Sequence, residues 1–191
     1  MLIALLLHLT AAVAVGPPAG LAPPSGAEAL VVETGPDGRL SNVVASADLR
    51  CSPDRAFALV TAFDTYSGWM YGVDKATVEQ TAPDTVEVEV DFVLRAPGPN
   101  VRFRARFQMD TVARTVVGGA VGRQLRGSVW TWRIDPLPGG GARATRASRS
   151  RSIDDNWLLD MLGEHKHVLD LGINLSTPVL ELQSLRARCD G

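Results

Sequence analysis

Two neighbouring stretches of strict polar–apolar alternation constrain the fold of this chain more than any other feature. In residues 85–95 apolar side chains alternate with acidic ones, and in residues 101–110 they alternate mainly with arginines. A repeat of two predicts β-strands that each bury one face. Because proline and glycine lie between the two stretches, we expect a turn there and an antiparallel pair of strands.

The charged faces of these two strands predict their register. A close turn places Asp91 opposite Arg104 and Glu89 opposite Arg106, and each opposed pair contributes roughly 0.2–1 kcal/mol. The alternative is that these two arginines and Arg102 bind an anion. We favour pairing, because the acidic residues lie on the adjacent strand and neutralise the arginines.

Residues 51–70, which precede these strands, carry the signals of a helix start. Ser52 is a good N-cap, because its hydroxyl can accept a hydrogen bond from a first-turn N–H. Pro53 suits the first helical position, and Asp54 suits the positive end of the helix dipole. Apolar residues follow at helical spacing, and then a second short segment broken by glycine. The stretch therefore predicts two short helices.

The rest of the pattern gives the order of elements. A strand is predicted before the helices at residues 40–49, and further strands at 75–80, 115–125, 127–134 and 142–152. An apolar helical pattern fills residues 154–188. Because Gly163, Gly172 and Pro178 interrupt this pattern, we expect a long helix that is kinked or split near Gly163. This order contains no βαβ repeat, which disfavours a doubly wound parallel sheet.

Two stretches resemble the START-like superfamily, also called SRPBCC, which includes polyketide cyclase/dehydrase-like and coenzyme Q-binding-like proteins. The sequence Ser-Pro-Asp-Arg-Ala-Phe-Ala-Leu-Val-Thr-Ala-Phe-Asp-Thr-Tyr-Ser-Gly-Trp at 52–69 resembles its first helical segment. The sequence Gly-Ser-Val-Trp-Thr-Trp-Arg-Ile-Asp-Pro-Leu-Pro-Gly-Gly-Gly-Ala-Arg-Ala-Thr at 127–145 resembles its late hairpin. Over residues 40–188 the resemblance implies an α+β helix-grip fold. This is a curved antiparallel sheet of about seven strands, with two short helices after strand one and a long C-terminal helix.

The resemblance also implies a ligand cavity between the sheet and the C-terminal helix, lined mostly by apolar side chains. The alternative is a filled hydrophobic core. The residues expected to line the cavity are Val88, Val90, Phe92, Phe103, Phe107, Trp130, Trp132, Trp157 and Met161, with Trp69 and Tyr71 near its mouth. If Ala142 and Ala144 point inward, so do Arg146 and Ser148, and Arg146 is then placed to meet the carboxylate or polar head of a ligand. In the opposite register Arg146 points outward or only reaches the rim.

We expect a binding protein for a hydrophobic small molecule such as a lipid, a quinone or a polyketide-like compound, with transient membrane contact during ligand exchange. A cyclase or aromatase acting in the same cavity and a non-binding structural or interaction domain are the alternatives. The sequence shows no catalytic constellation and predicts no cofactor. His165 and His167 lie two residues apart, on different helix faces, and so make a poor metal site. The net charge of −2 gives no reason to expect nucleic acid as a partner, and the oligomeric state stays open.

The N-terminal residues 1–15 form an apolar run that is short for a membrane span and fits a secretory signal peptide. Residues 12–14, Ala-Val-Ala, offer a cleavage site, although no lysine or arginine precedes the run. An N-terminal membrane anchor is the alternative. Residues 16–37 are rich in proline, glycine and alanine and are predicted to be a linker, within which Leu30–Val32 pairs weakly at most. The START-like domain is expected to span residues 38–191.

The two cysteines, Cys51 and Cys189, are compatible with a disulfide if the protein is exported to the periplasm or secreted. The helix-grip resemblance brings the two positions into one neighbourhood, because the short helices support the end of the C-terminal helix. The alternative is two free thiols.

Overall fold

The computed structural model describes residues 28–36, 40–80, 87–94, 100–122, 125–149 and 166–191. Within these residues eight strands form one curved, unclosed antiparallel sheet with the order β1-β2-β8-β7-β6-β5-β4-β3. The strands are β1 Glu28–Thr34, β2 Leu40–Leu49, β3 Val73–Gln80, β4 Glu87–Leu94, β5 Val101–Asp110, β6 Thr115–Val121, β7 Val129–Pro136 and β8 Ala142–Arg149. The predicted α+β helix-grip fold is confirmed, with one strand more than expected.

The additional strand is β1, which pairs with β2 along its whole length, Leu30 lying opposite Ala45. It lies in the range 16–37 that was predicted to be a linker, so the sheet begins at Glu28, before the predicted domain start near residue 38. Leu30 and Val32 are 47% and 41% exposed. Along this edge strand the side chains alternate between exposed and half-buried, and none is fully buried.

Two short helices follow β2, as predicted. Helix α1 spans Pro53–Thr61, and a 3₁₀ helix spans Phe63–Gly68. The Ser52 hydroxyl accepts a hydrogen bond from the Arg55 N–H at 3.3 Å, and Pro53 occupies the first turn. The predicted N-cap is therefore confirmed, and it fixes where the chain leaves β2 and enters the helix.

The β4–β5 pair has the register that the charges predicted, with Asp91 opposite Arg104 and Glu89 opposite Arg106. Arg104 Nε lies 2.8 Å from Asp91 Oδ1, and an Arg106 guanidinium nitrogen lies 2.5 Å from Glu89 Oε1. The hydrogen bond from Arg104 holds the pKa of the Asp91 carboxyl below its ordinary value. These charges therefore stabilise the hairpin from the outer face of the sheet.

One predicted strand is shorter than expected. The stretch 115–125 was predicted to be extended throughout, but β6 ends at Val121. Gly122 and Leu125 have positive φ angles of 106° and 57°, which belong to the left-handed region and not to a strand. The chain turns here before it enters β7.

The C-terminal helix α2 spans Lys166–Asp190 and continues through Gly172 and Pro178. Leu182 and Leu185 are 3% and 0% exposed and belong to the same buried cluster as the inner residues of the sheet. The Pro178 ring is fully buried as well. The break predicted near Gly163 lies outside the described residues. Within the part of the chain that is described, no helix is long and apolar enough to cross a membrane.

The last turns of α2 are fastened to the start of the helical segment. The predicted disulfide between Cys51 and Cys189 is confirmed, with 5.4 Å between the Cα atoms. The Arg50 N–H donates to Asp190 Oδ1 at 3.3 Å. The Tyr71 N–H donates to the Ser184 hydroxyl at 3.1 Å. The C-terminal half of α2 is thus held by a covalent bond and by two hydrogen bonds, one from a residue that precedes α1 in the chain and one from a residue that follows it.

Candidate ligand-binding site

The register of the sheet places the predicted ligand-binding residues of the strands on one face. Directly opposed residues of antiparallel strands point to the same side. The pairs that establish this face are Val88–Phe107, Val90–Ala105, Phe92–Phe103, Phe107–Gly118, Gly118–Trp130, Trp130–Ser148 and Trp132–Arg146. This inner face packs against α1, the 3₁₀ helix and α2.

One part of the inner face is closely packed. Val90, Phe107 and Trp132 are 0%, 7% and 4% exposed. The ring of Phe63, from the 3₁₀ helix, stacks on Phe107 with 4.5 Å between centroids. Gly118 lies directly beneath that ring, since a Cβ built on it would come within 2.3 Å of two Phe107 carbons. Here the side chains fill the space between the sheet and the helices.

A second part of the inner face is less covered. Phe103 and Trp130 are only half-buried, and they pack against the edge of the core cluster. Their ring centroids lie 5.4 Å apart, and Phe103 stacks on Phe92 at 5.3 Å. These three rings form a continuous aromatic strip across the inner face. Such a surface offers a hydrophobic ligand large contact area from rigid side chains.

Arg146 lies beside this strip and points inward, since it is 6% exposed and its neighbours Ala142 and Ala144 are fully buried. Its guanidinium is 5.1 Å from the centroid of the Trp132 ring. Its Nε donates to Glu181 Oε2 at 2.5 Å. The carboxylate that Arg146 meets in this structure therefore comes from α2.

Glu181 was not among the residues predicted for the site. It lies one turn before the fully buried Leu185 and one turn after Pro178, on the stripe of α2 that faces the sheet. An acidic residue within an apolar stripe is a sequence signal for a buried ion pair, but the sequence does not indicate which arginine is the partner. The Arg146–Glu181 pair joins β8 to α2 across the core.

Tyr66 of the 3₁₀ helix belongs to the same region. Its hydroxyl is buried and donates to the Val60 carbonyl at 2.6 Å. Burial, and secondarily the nearby charge of Glu181, raises the pKa of the Tyr66 hydroxyl above its ordinary value, while Arg146 lowers it. The phenol therefore stays protonated and hydrogen-bonded, which makes it a structural donor and a poor proton-transfer group.

The other predicted residues lie in different surroundings. Ser148 is buried on the inner face opposite Trp130. Trp69 is half-buried, packs edge-on against Tyr66 and donates its indole N–H to the Thr65 hydroxyl at 3.1 Å. Tyr71 is 48% exposed. Trp157 and Met161 lie outside the described residues.

A cavity of about 300 Å³ occurs elsewhere, between the β1–β2 edge of the sheet and the last turns of α2. None of the residues predicted for the site lines it. Among the described residues, no group of three or more histidine, cysteine, aspartate or glutamate side chains is placed to hold a metal ion.

Comparisons with solved structures show that other proteins share this fold. An aromatase/cyclase, Zhui, from Streptomyces sp. R1128 has a TM-score of 0.62 and 11% identity, over 78% of this chain and 93% of that one. A STAR-related lipid transfer protein fragment from Xanthomonas axonopodis has a TM-score of 0.61 and 17% identity, over 89% of this chain and 97% of that one. A START superfamily protein from Mycobacterium smegmatis has a TM-score of 0.55 and 10% identity, over 78% and 97% of the two chains.

No curated protein matches the sequence. A family model does match it, over residues 41–165, which is more than half of the chain and runs from β2 to just before α2. Together with the helix-grip fold, this match shows that the chain belongs to the polyketide cyclase/dehydrase and lipid transport family.

Proposed function

We propose that this protein binds a hydrophobic small molecule, such as a lipid, a quinone or a polyketide-like compound, on the open part of the sheet's inner face. The observation that carries this proposal is the aromatic strip of Phe92, Phe103 and Trp130, two of whose rings stay half-buried although they lie on the core side of the sheet. A ligand on this strip removes apolar surface from water, at roughly 25 cal/mol per Å².

The polar groups beside the strip orient the ligand. Arg146 and Glu181 neutralise each other, so together they present hydrogen-bonding atoms without net charge. A carbonyl or hydroxyl group on the ligand suits such a neighbourhood better than a full negative charge, which would have to compete with Glu181. Ser148, opposite Trp130 on the same face, is a second polar anchor.

The family match and one fold neighbour support a binding role. The family description names lipid transport beside polyketide cyclase and dehydrase, and one neighbour is described as a lipid transfer protein. During exchange of such a ligand we expect transient contact with a membrane surface.

Native mass spectrometry of protein purified from its own host, followed by solvent extraction, tests the proposal. We expect a stoichiometric hydrophobic ligand that is lost from Trp130→Ala and retained by Val121→Ala. Val121 is a matched control, because it lies opposite Arg104 on the outer face and is 40% exposed. A folded wild-type protein that carries no ligand and binds no lipid or quinone is instead a structural or interaction domain.

An enzyme of the cyclase or aromatase type is the second candidate. The observation that favours it is the buried Arg146–Glu181 pair, because ionisable groups inside an apolar site are typical of catalytic centres. Incubation with a linear poly-ketone thioester distinguishes the two roles. Wild-type protein that yields a cyclised product, with loss of that activity in Arg146→Met, supports an enzyme; recovery of unchanged substrate supports a carrier.

Export belongs to the same proposal. The apolar run at residues 2–15 fits a signal peptide, and disulfides such as Cys51–Cys189 persist mainly in oxidising compartments. Cell fractionation followed by intact-mass measurement under non-reducing conditions tests this. We expect extracytoplasmic protein that is cleaved after the Ala-Val-Ala sequence and lacks free thiols. A full-length cytoplasmic protein with two thiols contradicts export, and a full-length membrane-bound one indicates an anchor.

A further inference from the structure

The cavity at the β1 edge of the sheet is a separate space from the aromatic strip. Its floor is formed by Ala45 and Ala47 of β2, and α2 covers it with Val179 and Leu182. Leu30 of β1 forms its outer wall. Ala45 and Ala47 are 2% and 5% exposed and belong to the same buried cluster as Leu182, so the open part of the cavity lies beside them, toward Leu30 and Arg186.

The size of this edge cavity suits a short hydrocarbon chain. Its volume is about 300 Å³, which holds about ten carbon-sized groups at about 30 Å³ each, the volume of a water molecule in the liquid. Leu30 is 47% exposed, so part of the apolar wall faces solvent. Interiors are normally close-packed, and a bound chain both fills the space and covers this wall.

The positively charged side chain of Arg186 lies at the mouth of the edge cavity. The Nε of Arg186 donates to the Asp48 carbonyl at 3.2 Å, which fixes the guanidinium by a contact with the backbone. The same guanidinium pairs with Glu28 of β1, whose side chain is 64% exposed. An ion pair that is this exposed contributes little. An anionic head group can therefore take the place of Glu28 while Arg186 keeps its position.

We propose that the edge cavity binds one linear aliphatic chain of about eight to twelve carbons that carries an anionic oxygen head group, as a medium-chain carboxylate does. The chain lies between Leu30 and the side of α2, with Ala45 and Ala47 at the deep end of the cavity, and the head group contacts Arg186. This site is independent of the ligand proposed for the aromatic strip, because the two share no residue.

Titration calorimetry of the full chain with decanoate, 1-decanol and tetradecanoate tests this assignment. Decanoate is expected to bind with one-to-one stoichiometry and more tightly than tetradecanoate. In Arg186→Gln we expect decanoate to bind about ten-fold more weakly, from loss of a charge-assisted hydrogen bond, while the affinity for 1-decanol stays the same. A folded wild-type protein that does not bind decanoate, or an Arg186→Gln protein that binds it equally well, overturns the proposal.

Ala47→Leu fills the cavity and is expected to abolish decanoate binding. Ala58→Leu, at an exposed position of α1, is the matched control and keeps wild-type affinity. Folded Ala47→Leu that binds decanoate as the wild type does overturns the assignment. The assignment is also overturned if the wild-type protein is a dimer and Ala47→Leu is a monomer, because the edge cavity is then part of the contact between two copies of the chain. Trp130→Ala is expected to lose the ligand of the aromatic strip and to bind decanoate as the wild type does. This result would show that the edge cavity and the proposed function can be tested independently.

Discussion

Arg146 of β8 and Glu181 of α2 form an ion pair inside the core, with 2.5 Å between Nε and Oε2. Their side chains are 8% and 14% exposed. Taking both charges out of water is costly, so such a pair adds little net stability, but loss of one partner leaves an uncompensated buried charge. The pair therefore links α2 to β8, and removing either side chain leaves the other charge unpaired in the core.

We predict that Arg146→Met destabilises the protein by about 3–5 kcal/mol, because Glu181 then stays buried without a partner. The double variant Arg146→Met with Glu181→Leu is expected to recover most of this loss, since two apolar side chains replace the pair. Urea unfolding measures the free energies. Arg133→Met is the control: its pair with Asp135 is exposed, and we expect a cost below about 1 kcal/mol. Equal costs at both arginines would contradict the prediction.

Adding one methyl group at Gly118 is predicted to destabilise the protein by about 1–3 kcal/mol, because it overpacks the core. The new Cβ would come within 2.3 Å of the Phe107 ring and force it away from Phe63. Gly119→Ala is a close control, since it faces the other side of β6 and the nearest atom to its Cβ is 3.7 Å away. Thermal unfolding of both variants gives the comparison, and a Gly118→Ala variant as stable as Gly119→Ala would show that the ring yields without cost.

The sequence predicted best where polar and apolar residues alternate strictly. The β4–β5 register followed from charges on opposed strands, and the structure pairs Asp91 with Arg104 as expected. β1 was predicted to be linker because residues 16–37 are rich in proline, glycine and alanine, and its apolar run Leu30–Val32 shows no alternation with polar residues. Its pairing with β2 is set by the open edge that β2 offers, which is a property of the assembled sheet.

The candidate site could be predicted only in part. Two-residue periodicity and the family resemblance placed Phe103 and Trp130 on the predicted face, since side-chain direction along a strand is a local property. They left two directions open for Arg146, which the structure places inward. The partner of Arg146 could not be predicted, because Glu181 reaches it through the packing of α2 on the sheet, 35 residues away in sequence. The edge cavity depends on the same packing and on β1.

Stability is predicted to fall in acid partly through Asp48. Arg143 donates two hydrogen bonds to this carboxylate, at 2.7 and 3.1 Å, and thereby lowers its pKa. A pKa that is lower in the folded state gives stability that is fully present above the unfolded value and is lost as the pH falls through the folded value. We expect Asp48→Asn to be less stable at neutral pH and to lose less between about pH 5 and about pH 3. Urea midpoints measured across this range give the change in stability with pH, and we expect Arg143→Met to reduce this change as Asp48→Asn does. If Asp48→Asn loses stability with falling pH as steeply as the wild type does, the Asp48 carboxylate does not contribute to the acid sensitivity.

Removing the disulfide is predicted to loosen the end of α2 and to destabilise the whole domain. Cys51 and Cys189 are 138 residues apart in sequence, so the bridge closes a long loop in the unfolded chain. Replacing both with serine is expected to cost about 2–5 kcal/mol. The last turns of α2 should also exchange their amide hydrogens faster, since the hydrogen bond from the Arg50 N–H to Asp190 then has no covalent support beside it.

Thermal unfolding with and without a dithiol reductant measures the effect of the disulfide on the melting temperature. The serine variant is the control, because reductant should leave its melting temperature unchanged. A reduced wild-type protein with two titratable thiols and an unchanged melting temperature would show that the α2 end is held by its packing and hydrogen bonds alone.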